Sequence, residues 1–65
     1  MLDEALNMLK QLKAGDEVPN DEIQEMVDDL QSRAKDLERE TELSHLEAFE
    51  MKECWRIAGE LENFI

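Results

Sequence analysis

Only one short stretch punctuates the first two thirds of this chain. Residues 15 to 20, Gly-Asp-Glu-Val-Pro-Asn, hold the sole proline and one of the two glycines. On both sides of them the apolar residues recur at intervals of three and four, the spacing of a helical face. One turn between long helical tracts predicts an all-α protein, either an antiparallel helical hairpin or a three-helix bundle.

The first tract, residues 2–14, reads as a helix. Leu2, Ala5, Leu6, Leu9 and Leu12 lie on one face. Asp3 and Glu4 fall in the first turn and Lys10 and Lys13 near the last, each where the helix dipole favours its sign. Gly15 then suits the position just past a helix end. In the turn 15–20, Val18 is pushed out of the α region by Pro19. Asn20 suits an N-cap, with Asp21 and Glu22 behind it. So short a loop predicts antiparallel neighbours.

The second tract, residues 21–40, carries Ile23, Val27, Leu30, Ala34 and Leu37 as a heptad seam. The seam falters at Thr41 and Ser44. Beyond them the apolar set is Leu43, Leu46, Met51, Cys54, Trp55, Ile57, Ala58, Leu61, Phe64 and Ile65. At about 100° per residue the two stripes are offset by very roughly 130°. Ser44-His45-Leu46-Glu47 matches the S-x-x-E capping box, which predicts a break and a third helix over 44–64. The absence of glycine or proline there supports the alternative, one helix of over forty residues, far above the mean of about 11 to 12. In either case the last apolar arc covers about half the wheel, with Phe49 outside it. A first helix of about three and a half turns is too short to cover both stripes. This predicts a homodimer whose interface uses Leu43, Leu46, Met51, Trp55, Ile57, Ala58, Leu61, Phe64 and Ile65.

Length and charge bound the function. Sixty-five residues make a single domain with a marginal core. Eighteen acids against seven bases give a net charge of −11. Such a chain lacks the clustered Lys and Arg that phosphate neutralisation needs, so direct nucleic-acid contact is not expected. Anionic membrane surfaces are disfavoured for the same reason. No stretch approaches the ~18 apolar residues of a membrane span. The opening residues, Met1-Leu2-Asp3-Glu4, lack the basic segment of a signal peptide. One cysteine excludes an intramolecular disulfide and suits a reducing cytoplasm. The expected location is cytoplasmic.

Enzymatic chemistry is not expected. The chain has one histidine, one cysteine, no tyrosine and no glycine-rich phosphate loop. Glu42-Leu43-Ser44-His45, with Glu38 one turn earlier, matches half of a di-iron Glu-x-x-His motif. In so acidic a chain a single copy reads better as an exposed histidine among glutamates, and neither metal nor cofactor is expected. Cys54 reads as a small apolar residue, because Glu50 and Glu53 raise a thiol pKa rather than lower it. Trp55 reads as core or homodimer interface, with an anchor for a foreign partner as the alternative.

The acids themselves carry the main functional signal. Asp16, Glu17, Asp21, Glu22, Glu25, Asp28 and Asp29 form a run without any base. A second run, from Glu38 to Glu53, is diluted by Arg39 and Lys52. Negative charge keeps a small protein soluble. Held on a rigid helix it also forms a ribbon able to occupy a basic groove meant for nucleic acid.

Glu4-Ala5-Leu6, Leu12, Gly15-Asp16 and Pro19, followed by an acidic helix, resemble the helical hairpin of exonuclease VII small subunits over about half of the chain. Any antiparallel hairpin shares these residues, so the resemblance implies a hairpin and assigns no residue a role. The overall profile is similar to phage-encoded inhibitors of host defence or transcription, which are small, acidic and helical. The expectation is a non-enzymatic acidic binding protein that inhibits or regulates a larger protein through a basic surface. The alternative is a structural helical subunit acting through its apolar C-terminal face.

Overall fold

A computed structural model describes residues 2–65. The described residues form three helices, α1 (Leu2–Lys13), α2 (Asn20–Glu38) and α3 (His45–Glu62). They pack as a bundle with principal dimensions of 39 × 18 × 16 Å. No helix among the described residues is long and apolar enough to cross a membrane.

Each boundary has a local cause. After α1, Gly15 takes φ +91°. Its N–H donates to Leu12 O at 3.1 Å, and Asp16 N–H donates to Gln11 O at 3.0 Å. This paired closure needs a left-handed residue, which glycine supplies without a Cβ penalty. The cap of α2 differs from expectation. Pro19, not Asn20, holds the N-cap position (φ −57°, ψ 140°), and no side chain caps it. Pro19 O accepts from Glu22 N–H at 3.0 Å and Ile23 N–H at 3.2 Å. Proline's fixed φ and missing N–H suit the edge of a helix, so Asn20 becomes its first residue.

The break between the second and third tracts is real. Arg39 to Ser44 leave the helix, two residues earlier than the expected end at Glu40. Ser44 restarts it. Its Oγ accepts from Glu47 N–H at 3.2 Å, and Glu47 Oε1 accepts from Ser44 N–H at 3.3 Å. The reciprocal pair satisfies two backbone donors and makes helix initiation favourable without glycine or proline. The third helix ends at Glu62, short of the expected residue 64.

The core forms where the three helices meet. Ala5 and Leu9 of α1, Ile23, Val27, Leu30 and Ala34 of α2, and Cys54, Ile57, Ala58 and Leu61 of α3 form one buried cluster. All five seam residues of α2 are buried, as expected. On α1, Leu6 is exposed and Met8 packs against the core in its place. The α2–α3 interface is the most extensive of the three and the α1–α2 interface the least. Packing of α2 along α3 thus covers much of the second stripe, which the first helix was too short to cover. Ile57, Ala58 and Leu61 belong to the chain's own core and are not available to a second copy in this fold.

Polar links between helices follow the same seams. Arg33 on α2 grips Glu50 on α3 with two hydrogen bonds, at 3.2 and 3.3 Å. Gln31 Nε2 donates to Glu62 at 3.0 Å, and Lys13 of α1 lies 3.9 Å from Glu60 of α3.

Candidate functional site

The seven acids of the base-free run are all exposed. Asp16 and Glu17 lie in the α1–α2 loop, and Asp21, Glu22, Glu25, Asp28 and Asp29 lie on α2. Glu22, Glu25 and Asp29, at spacings of three and four, share a face pointing away from Ile23, Val27 and Leu30. Among the described residues, only Asp28 of these has a side-chain partner, accepting from Gln24 Nε2 at 3.0 Å.

Three of the seven Lys and Arg side chains pair elsewhere. Lys13 pairs with Glu60, Arg33 with Glu50, and Arg56 with both Glu53 and Glu60. Every ion pair among the described residues therefore ends on a glutamate of α3. Arg56 holds the Glu53 carboxyl below the usual carboxylate range, and Glu50 raises Arg33. Glu50, Glu53 and Glu60 of α3 are offset within the chain, while the acids from Asp16 to Asp29 meet no cation among the described residues. This partition was not legible in the sequence, because Arg33–Glu50 and Lys13–Glu60 join residues distant along the chain.

Beside the acidic loop lies an open groove of about 460 Å³, lined by Leu12, Asp16, Glu17, Val18, Pro19, Ile23 and Phe64. It gathers the end of α1, the loop, the start of α2 and the C-terminal segment. Its walls come from segments far apart in the sequence. The turn signals of Gly15 and Pro19 marked the loop, but nothing local places Phe64 in one groove with Val18. Phe64, expected in an oligomer interface, lines this groove.

The rest of that expected interface is divided. Leu46 is 81% exposed, Ile65 is exposed, and Leu43 and Met51 are half-buried. Phe49, outside the expected set, is 61% exposed. Trp55, expected in the core or a homodimer interface, is 37% exposed in the single chain. Its Nε1–H donates to Glu38 Oε1 at 3.1 Å, which ties the ring to the end of α2. A tryptophan needs a partner for that N–H, and a surface carboxylate supplies it without burying the ring.

The α2–α3 connection holds a second electrostatic feature. Glu47 faces Glu40 across the linker. The Glu40 carboxyl is raised above its ordinary 4.5, first by its hydrogen bond to Glu47 and then by that neighbour's charge. Glu47 is lowered by the same contact and by its bonds to Ser44. Glu42 lies in this non-helical linker while His45 begins α3, so Glu42-x-x-His45 does not have the helical spacing of a di-iron half-site. No three His, Cys, Asp or Glu side chains converge as a metal-ligand set among the described residues. Cys54 is unpaired and buried, and burial pushes its thiol pKa up.

No protein-family model, curated protein or solved structure matches the chain. The resemblance to exonuclease VII small subunits therefore gains no support.

Proposed function

We propose that this chain is a non-enzymatic acidic binding protein. It regulates or inhibits a larger cytoplasmic protein by occupying a basic surface, of the kind that otherwise holds nucleic acid. One observation carries the reading: seven exposed carboxylates between Asp16 and Asp29 meet no cation among the described residues, while Lys13, Arg33 and Arg56 pair with glutamates of α3. Carboxylates left unpaired on a rigid scaffold project a field that steers a cationic partner and is screened by salt.

The test neutralises the face and leaves the core alone. Glu22→Gln, Glu25→Gln and Asp29→Gln are combined, and partners captured from the native host are titrated with both proteins. The expected partner is displaced by duplex DNA, and its on-rate falls steeply with ionic strength. The triple variant slows association at low salt and keeps its helicity. Undiminished association would reduce the acids to solvation.

A second reading is favoured by the exposure of Leu46 and Phe49. A structural subunit or homodimer acting through α3 would cover them together with Leu43, Met51, Trp55 and Ile65. Sedimentation equilibrium at micromolar concentration tests this. A dimer or larger species supports the second reading, and a clean monomer removes it.

A further inference from the structure

The groove beside the acidic loop has two kinds of wall. Leu12, Val18 and Phe64 present apolar surface over the buried Ile23, while the exposed Asp16 and Glu17 also line it. Neither carboxylate is offset by a cation among the described residues, since the nearest lysine along α1, Lys13, is engaged by Glu60. The volume of about 460 Å³ lies within the range of ligand clefts, about 300–1,000 Å³. The loop that forms it is tied at both ends. Asp16 N–H closes onto Gln11 O at 3.0 Å, and Pro19 O receives the first N–H groups of α2. A loop ordered in advance loses little entropy when it binds.

We infer that this groove docks a short basic and apolar peptide segment of the partner. An arginine or lysine lays its aliphatic stem along Val18 and Phe64 and places its cationic head between Asp16 and Glu17. A neighbouring apolar side chain fills the floor over Leu12 and Ile23. Charge complementarity selects this occupant. An anionic segment meets two unpaired carboxylates, and a second copy of this chain brings a net charge of −11 toward the same pair. Long cationic side chains with apolar stems match such a mixed wall. The inference rests on the proposed function only in that the partner is basic.

The probes are capped tetrapeptides of alternating Arg and Leu, of Arg and Ser, and of Asp and Leu, titrated into the intact chain at physiological ionic strength. Amide and methyl NMR shifts report the site. The Arg–Leu peptide is expected to move Leu12, Val18, Ile23 and Phe64, and to bind about tenfold tighter than Arg–Ser. The Asp–Leu peptide is expected not to bind. Asp16→Asn with Glu17→Gln weakens the Arg–Leu peptide at least about fivefold, and Phe64→Ser does the same. These exposed positions leave the helical core intact, which far-UV circular dichroism verifies. Equal binding of Arg–Leu and Arg–Ser, with shifts spread over Asp21 to Asp29, overturns the groove and leaves the basic-surface reading standing. Shifts confined to the groove and unchanged in the Glu22, Glu25, Asp29 variant support it even if that variant keeps full partner binding and so sinks the acidic-ribbon reading. Concentration-dependent shifts of the groove residues without peptide assign it to a second copy and also overturn the inference.

Discussion

Replacing Ser44 by alanine tests the physical cause of the three-helix fold with a prediction of sign. In the folded chain Ser44 is extended (φ −69°, ψ 165°) and its Oγ accepts from Glu47 N–H at 3.2 Å. Ser44→Ala removes that acceptor and leaves one orphan donor at the start of α3, while the bond from Ser44 N–H to Glu47 survives. Losing an N-cap serine costs about 1 kcal/mol, within about 0.5–2. At about 0.05–0.15 kcal/mol per residue, a chain of this length has only about 3–10 kcal/mol of stability. The loss is then about a tenth to a third of the whole, and Tm falls by about 4–8 °C. Thermal and urea unfolding followed by far-UV circular dichroism measure it, with Ser44→Asp as a control that restores the cap. If residues 39–44 instead continued one long helix, alanine at an exposed interior site would add helix propensity and stabilise by about half a kcal/mol. A raised Tm for Ser44→Ala would therefore refute the capping argument.

Further outcomes follow from the same structure. Gly15→Ala places a Cβ at φ +91° and is expected to cost about 1–2 kcal/mol, read as a shift in urea midpoint; no shift would mean the loop relaxes out of the left-handed conformation. Leu61→Ala, at a fully buried site, is expected to cost about 2–5 kcal/mol, whereas Leu46→Ala should be near neutral in a monomer; a large cost at Leu46 would reveal a covering partner. Trp55→Ala should cost less than the ~3–5 kcal/mol of a buried tryptophan, and Trp55 emission should lie between buried and solvent-exposed limits; full burial values would place the ring in an interface. Glu40→Gln should raise Tm at neutral pH. Glu40 is raised in the fold, so its protonated form stabilises below its unfolded pKa, and that contribution is lost as pH rises through the folded value. The Tm advantage of glutamine should thus close as pH falls below the ordinary carboxylate range, and a gap independent of pH would refute the Glu40–Glu47 contact. Glu47 and Glu53, both lowered, act oppositely and lose their contribution as pH falls in either protein.

What local sequence determines here is set by interactions within about one helical turn. The end of α1 follows from glycine's access to positive φ at residue 15, and the seam from Ile23 to Leu37 follows from helical period alone. The capping box at Ser44 and Glu47 was legible too, yet it did not decide between a break and a continuous helix. A cap contributes only about 1 kcal/mol, and packing elsewhere can override a term of that size. The apolar arc of α3 spans too much of the helix for periodicity to say which residues go inside. Only the lines along which α1 and α2 pack decided that Cys54, Ile57, Ala58 and Leu61 are buried while Leu46 and Phe49 stay in water. The same holds for the candidate site. Local sequence placed seven acids on a loop and one helix. Tertiary structure brought Lys13 and Arg33 to α3, left those acids without a cation among the described residues, and gathered Phe64 and Val18 into one groove. Such pairings join residues far apart in the chain, and close-packing of whole helices, rather than any local preference, brings them together.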